Sequence, residues 1–558
     1  MATPPKDVNY TFSDREIEQL MPYGEARYHA QGELLTREGE SQADCLVTLS
    51  GQTHIFVEQA EGPRRVGWME RGQFSGDITI LTGQAALART IMGEAGEVLH
   101  ISHQQFQRLL VDNSPLSDVF VRTLTARREF GRASGVSGII VIGDAHDRTV
   151  FMARDLLSKH GIPHIWLKPH TDELARRVMC VRNIGNTDLP VVVRGTQPVM
   201  IRPTLEELSH AFGLDLLPDG AAADVIVVGA GPAGLAASVY AASEGLAVLT
   251  LDTDGPGGQA GASSKIENYL GFPMGVSGRE LAERAAVQAQ KFGARIASPV
   301  KANGLTPDGE DYCLSLEDGR KLRARAIVIA TGAQYRRLPI TNLERFEGRG
   351  VYYGATPMEA QLCGGQNVAI VGAGNSAGQG AVFLSQAAQE VHVVYRRPDI
   401  RETMSEYLVR RLEEMPNIHL HPLTEIAAMH GVDAADPLDD RLTAVTWINC
   451  ETGATETSDT NFVFLFIGAA PCTQWLPDIL SCDGKGFLKT GPDLETIDLV
   501  KAGWSLDRMP TRYETSWPRV YAVGDVRAGS VKRVASAVGE GSVVVSDIHK
   551  ALAEKRAT

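Results

Sequence analysis

The pattern that most restricts how this chain can fold occurs twice in its later half. ADVIVVGAGPAGLAASVYAASEGLAVLTLD, Ala223 to Asp252, reads as a buried strand, a glycine turn, an alanine-rich helix and a second buried strand. In such a βαβ unit Gly229 makes the tight turn and Gly231 lets the backbone approach a pyrophosphate. Gly234 lets the helix pack on the strand. The helix start then offers unpaired amides and a positive dipole end to phosphate. QNVAIVGAGNSAGQGAVFLSQAAQEVHVVYRRPDIR, Gln366 to Arg401, repeats the pattern with Gly372, Gly374 and Asn375, and with Ala377 in the third glycine place. Gly229 to Asp252 and Gly372 to Tyr395 both span 23 residues. Two parallel-sheet domains that bind dinucleotides are therefore expected, an α/β architecture.

The strand ends separate the two copies. Asp252 closes the first, where a carboxylate can accept hydrogen bonds from a ribose. The second carries Tyr395, then Arg396, Arg397 and Arg401. An acid there would repel a ribose 2′-phosphate, whereas arginines bind one through forked, charge-assisted hydrogen bonds. Each hydrogen bond to a charged group contributes ~1.5–3 kcal/mol, and a tenfold preference needs only ~1.4. NADPH is expected over NADH, beside a tightly held flavin in the first copy.

Stretches outside the glycine turns carry a family resemblance: GGQ at Gly257 to Gln259, KIENYLGFP at Lys265 to Pro273, and IVIATGA at Ile327 to Ala333. VFLFIGAAPCTQWL at Val463 to Leu476, VYAVGDV and KRVASAVGEG continue it to Gly541. In this order they resemble the thioredoxin reductase family of two-dinucleotide-binding flavoproteins. The resemblance implies FAD in the first unit, NADPH in the second, and a chain that returns to complete the flavin domain. It places Gln259 and Asn268 near the isoalloxazine, with Gly258, Thr331 and Gly332 also at the cofactor. Gly524 and Asp525 would hold the ribityl chain, and Arg533, Val534 and Ala535 the pyrimidine edge. It also implies a homodimer and a domain rotation between flavin and nicotinamide.

In that family a CxxC dithiol just before the second glycine turn takes electrons from the flavin. Here those positions read Gly354, Ala355, Thr356 and Pro357, none of which can form a thiolate. The seven cysteines are scattered and never form CxxC, which suits buried thiols in a reducing cell. Cys363 stands alone, six residues beyond Pro357. No catalytic residue of the chain is expected, and electrons should pass from flavin directly to an unidentified acceptor. A ferredoxin or flavodoxin NADP reductase, a disulfide reductase with a remote thiol, and a non-enzymatic sensor are the alternatives.

The first half reads differently. QGELLTREGESQADCLVTLSGQTHIFV, from Gln31, alternates apolar and polar residues with glycine turns, as short antiparallel strands do. With GQFSGDITILTGQAALARTI it resembles a cyclic-nucleotide-binding β-roll. That resemblance puts Gly76, Asp77, Arg89 and Thr90 at a site for a cyclic nucleotide or other small anion, although Asp77 stands where the family uses glutamate. Ser102 and Gln105 make a capping box. A helix starting near Ser114 repeats Leu116, Phe120 and Leu124 on one face. GIIVIGD, TVFMARDLLSKHGIP, HIWLKP, DLPVVV and PTLEELSHAFGL resemble a glutaredoxin-like thioredoxin fold, with Pro190 in the cis-proline place and no cysteine at the active-site positions. Asp144, His146 and Asp147 read as loop polar residues and no metal site is expected; His419 and His421 read as strand positions.

The expected boundaries are 1–135 for the roll, 136–214 for the thioredoxin-like domain and 215–222 for a linker. The FAD-binding domain takes 223–335 and 471–558, and the NADPH-binding domain 336–470. A net charge of -14 argues against general affinity for nucleic acid or anionic membranes. No run of ~18 apolar residues and no apolar leader is present, so the cytoplasm is expected.

Overall fold

The computed structural model describes residues 8–59, 62–134, 138–144, 147–215, 217, 220–263, 266, 268–355, 357–432 and 441–553. The first unit is a roll of two four-stranded antiparallel sheets. Glu25–His29, Gly96–Ile101, Cys45–Thr48 and Phe74–Ser75 form one, and Leu34–Thr36, Arg89–Glu94, Gln52–Gln59 and Gly62–Met69 the other, each in that order. The helix Ser114–Ser134 closes it by burying Leu116, Phe120 and Leu124. Phe120 sits edge-on to Phe74 and Phe106, with ring centroids 4.7 and 5.0 Å apart, a favoured aromatic arrangement. Ser102 caps the helix His103–Asp112 by accepting from the amide of Gln105, one half of the expected box.

The second unit is a four-stranded sheet in the order Ile165–Leu167, Ile139–Ile142, Val191–Arg194, Met200–Ile201, with the first pair parallel and the others antiparallel. Helices Arg148–Lys159, Glu173–Arg182 and Leu205–Phe212 cover it. The Leu189–Pro190 peptide is cis. Asp147 is the cap of the first helix, its Oδ1 accepting from Thr149 and Val150 amides at 2.7 and 3.3 Å. His146 lies outside the described residues, and among those described no three His, Cys, Asp or Glu side chains are grouped to hold a metal.

The later half contains two Rossmann-like sheets. In the seven-stranded one, Ala222–Val228 lies between Val248–Leu251 and Lys321–Ile329, all parallel. Val520–Ala522 returns to pair with Lys321–Ile329, Val520 opposite Ile327 across 193 residues of chain. The second sheet is parallel throughout, in the order Val351–Tyr352, Phe462–Leu465, Asn367–Val371, Glu390–Val394, Ile418–His421. A short antiparallel pair, Ala333–Tyr335 with Ala469–Pro471, joins the two domains. Both central strands are buried valine and isoleucine runs, as a sheet covered on both faces requires.

The middle unit touches both partners. Its His160 Nε2 is 2.8 Å from Ser298 Oγ of the flavin domain. Its Phe151 ring lies 5.6 Å from that of Tyr352, just before the cysteine-free segment. Among the described residues no helix is long and apolar enough to cross a membrane.

Candidate active site

At the first glycine turn the backbone leaves no room for side chains. Gly229 has φ +110°, and a Cβ there would meet the Ala330 carbonyl oxygen at 2.2 Å. One on Gly234 would meet the Gly229 oxygen at 1.8 Å. Gly231 behaves differently: its only neighbour within 4 Å is the Gly258 Cα, at 3.9 Å. The close packing that fixes the turn and the open face that admits a ligand therefore fall on different glycines, as a pyrophosphate cradle requires. Gly231 precedes the helix Pro232–Ser243 with no side-chain cap, so its first amides are left for an anion. Buried Ser238 fastens this helix by donating to the Gly234 oxygen at 2.7 Å and meeting Thr250 Oγ1 at 2.6 Å.

Gly257 and Gly258, both at positive φ, bring GGQ against this turn, and the Gly257 amide donates to the Ala230 oxygen at 2.8 Å. Gln259 and Asn268 are exposed. Thr331 donates to the Cys472 oxygen at 2.9 Å. Gly332, at φ +66°, has nothing within 4 Å of a Cβ. The half-buried carboxyl of Asp525 has no hydrogen-bond donor among the described residues, and burial pushes its pKa up. An acceptor so placed suits a hydroxyl-bearing ligand such as a ribityl chain. Arg533 and Ala535 are exposed and Val534 half-buried at the start of the helix Val534–Ala553.

Asp252 is held by main-chain amides. Its Oδ2 accepts from the Ala230 amide at 2.6 Å, and Oδ1 from the Asp254 and Gly255 amides at 2.9 Å each. Burial raises its pKa against these bonds. A carboxylate offers about four acceptor positions, and three are used to tie the glycine turn to the strand end. Sequence reasoning missed Glu540. This buried acid accepts from the Gly524 amide at 2.7 Å and from Arg527 Nη2 at 2.6 Å, fixing the turn that carries Asp525. The one available signal was a single acid among the small and apolar residues of the helix's first half, Val534 to Val545.

The second turn repeats the division. A Cβ on Gly372, at φ +141°, would meet the Phe466 oxygen at 2.4 Å, while Gly374 has nothing within 4 Å. Ala377 is fully buried and the helix Asn375–Leu384 begins without a side-chain cap. Asn375 Oδ1 accepts from the Ser405 amide at 2.8 Å, so its side chain fastens the next helix. Tyr395 is buried in the domain core. The three arginines are exposed and each faces a carboxylate: Arg396 with Glu425 at 3.4 Å, Arg397 with Glu402 at 2.6 Å, Arg401 with Glu413 at 2.7 Å. Exposed pairs of this kind contribute ~0–1 kcal/mol, and a dianionic phosphate can replace them.

The residues expected for a cyclic nucleotide are engaged locally. Asp77 Oδ1 accepts from Thr79 Oγ1 and its amide, at 2.5 and 2.9 Å, capping its own turn. A Cβ on Gly76 would strike Ile80. Arg89 Nε pairs with Glu58 at 2.5 Å, its guanidinium 5.0 Å from the Phe56 ring, and Thr90 is buried. Asp77 and Arg89 are thus each occupied by their own roll.

Comparison with known proteins agrees with the two cradles. Residues 223–541 match the pyridine nucleotide-disulphide oxidoreductase family and residues 26–113 the cyclic nucleotide-binding domain. The thioredoxin reductase of Bacillus subtilis is 28% identical over 337 residues, 60% of this chain and 96% of that protein. That of Treponema pallidum is 31% identical over 322 residues, 57% of this chain and 94% of that one. The solved thioredoxin reductases of Lactococcus lactis and T. acidophilum superpose with TM-scores of 0.52 and 0.51, at 26% and 27% identity, over 60% of this chain and 100% and 99% of theirs. The chain belongs to the pyridine nucleotide-disulphide oxidoreductase family. Within it, this is a thioredoxin-reductase-like, FAD-dependent NAD(P)H oxidoreductase with a cyclic nucleotide-binding domain in front.

Proposed function

We propose that the chain oxidises NADPH and delivers electrons to an acceptor that meets the flavin directly, with no thiol relay of its own. FAD, when bound, supplies the hydride acceptance from NADPH and the onward electron transfer. The chain's residues position. Gly231, Gly258 and the uncapped helix start receive the pyrophosphate, Asp525 accepts from the ribityl hydroxyls, and Arg396, Arg397 and Arg401 choose the 2′-phosphate.

The observation that carries this reading is the packing of the segment in the dithiol's place. A Cβ on Gly354 would come within 2.9 Å of the Ala262 Cβ, just after GGQ, so the segment lies against the flavin loop and a side chain at Gly354 would force a shift. Ala355 is buried, and Thr356 lies outside the described residues. All seven cysteines are free. Burial pushes the Cys363 thiol up to about 12, which leaves it inert as a nucleophile.

Cys472 is the thiol to test for a remote relay, because its backbone bonds Thr331 and Gly332 of the flavin domain. Steady NADPH oxidation with oxygen, quinones, ferredoxin and small disulfides, before and after alkylation of accessible thiols and in Cys472→Ser, tests the proposal. Unchanged turnover supports it. Loss of turnover in either arm returns the chain to thiol chemistry.

The middle unit fits a thioredoxin-like domain without cysteine at the active-site positions, given its strand order and cis Pro190. Exposed Leu270 and Met274, beside an apolar groove lined by Leu235, Val239 and Phe272, fit a homodimer face. The acidic balance and unpaired cysteines fit the cytoplasm.

A further inference from the structure

A cavity of about 470 Å³ lies where the roll, the middle unit and the flavin domain meet. Thr82 and Gln107 of the roll, His160 of the middle unit, and Pro256 and Gln290 of the flavin domain contribute to its wall. The volume falls inside the range of small-molecule sites, about 300–1,000 Å³. Leu81, Leu217, Val287 and Ile296 give it an apolar side.

Its polar side is incomplete. Nε and Nη2 of Arg128, and Oε1 of Gln84 and of Gln107, are buried with no hydrogen-bond partner among the described residues. Buried polar groups are ordinarily satisfied, and here the unsatisfied ones belong to three residues that line one cavity. The Arg128 guanidinium makes one long bond, from Nη1 to the His160 oxygen at 3.4 Å. Burial lowers its pKa to about 10, so it remains charged at neutral pH. Nearby acids are committed elsewhere: Glu283 to Arg132 at 2.9 and 3.1 Å, Asp77 to Thr79, Asp155 to Lys159 at 2.7 Å. The two open nitrogens are the side-on pair of the guanidinium, whose parallel N–H groups match two oxygens of one oxyanion.

We propose that this junction binds a small organic oxyanion with hydroxyl or amino groups and a partly apolar body. Arg128 holds the anion, and the Gln84 and Gln107 oxygens accept from the donor groups. The site is separate from Arg89, which is paired within the roll. It also adjoins the flavin loop. Pro256 immediately precedes GGQ, and a Cβ on Gly255 would lie 3.0 Å from the Lys159 Cβ and 3.2 Å from His160 Nε2. Occupancy is therefore expected to perturb the flavin absorbance spectrum.

Calorimetric titration of the full-length holoenzyme with inorganic phosphate, AMP and glutamate tests the assignment, the last two separating a phosphate ester from a carboxylate. Binding that weakens about tenfold or more in Arg128→Gln and in Gln290→Trp, but persists in Arg89→Gln, supports it. Gln290→Trp fills the cavity from the flavin side and serves even where Arg128→Gln fails to fold. The proposal is overturned when none of the three probes binds the wild type. It is equally overturned when binding survives Gln290→Trp and disappears in Arg89→Gln, which puts the anion inside the roll.

Discussion

The glycine turns of the flavoprotein half are fixed by backbone, whereas the contact between the roll and the middle unit is built from charge. At Gly229, Gly234 and Gly372 the structure excludes a single carbon atom, by contact with main-chain oxygens at 2.4 Å or less. At the boundary between the roll and the middle unit, Glu38, Glu58, Arg89 and Arg194 gather instead. Arg194 stands 3.8 Å from Glu38, and Gly195 leaves room for both glutamates. Backbone constraints act without regard to pH and salt. A buried charge cluster responds to pH, because each carboxylate must lose its water to enter. The difference suits the division of labour, with a rigid pair of cradles behind an adjustable set of domain contacts.

Gly234→Val is expected to have the largest effect, since the new carbon would occupy the place of the Gly229 oxygen. Purified variant should carry almost no flavin by its visible absorbance, whereas Gly374→Ala, with open space around its Cβ, should keep full flavin content and stability. Glu540→Ala comes next. It strands half-buried Arg527 and frees the Gly524 turn, and a loss of about 3–5 kcal/mol is expected in denaturant unfolding. A loss under 1 kcal/mol would show that the pair does not fix the turn.

The charge cluster gives the pH test. Burial is the main cause that raises Glu38 to about 7, with Arg194 opposing it. A carboxyl whose folded pKa lies above its unfolded value binds more protons when folded, so its contribution to stability falls as pH rises from about 4.5 to about 7. Glu38→Gln should remove that decline, a relative gain of roughly 1–3 kcal/mol at pH 8. Parallel stability–pH curves for the two proteins would contradict a protonated Glu38. The smallest effect is expected where both partners are exposed: Arg397→Ala with Arg401→Ala should raise KM for NADPH about tenfold and leave NADH unchanged. An equal change for both nucleotides would remove the arginines from 2′-phosphate recognition.

The same contrast explains what the sequence made legible. The spacing of the glycines is local and located both turns, although the main-chain oxygens that Gly229 and Gly372 face belong to Ala330 and Phe466, 101 and 94 residues further along the chain. Side-chain sites depend on partners brought from elsewhere. Asp252 turns to the amides of its own following loop, Asp77 to its own Thr79, and Asp147 to the helix it starts, and a pattern of residue types does not distinguish these uses from ligand binding. The helix Glu173–Arg182 buries Ala175, Val178 and Met179, and Asn183, at φ +53°, marks its end. Glu540 lay inside a recognised stretch, but only its distance to Gly524 shows what it does. Arg128 was illegible, since its surroundings exist only once three units have packed.

The central claim is that electrons leave the flavin without passing through sulfur on this chain. Anaerobic titration of the holoenzyme with NADPH, followed at the flavin absorbance band, measures how many electrons the protein stores. With flavin as the only redox centre, bleaching should end at about one equivalent of NADPH per FAD. An end point near two equivalents would reveal a second two-electron centre, and the account would be wrong.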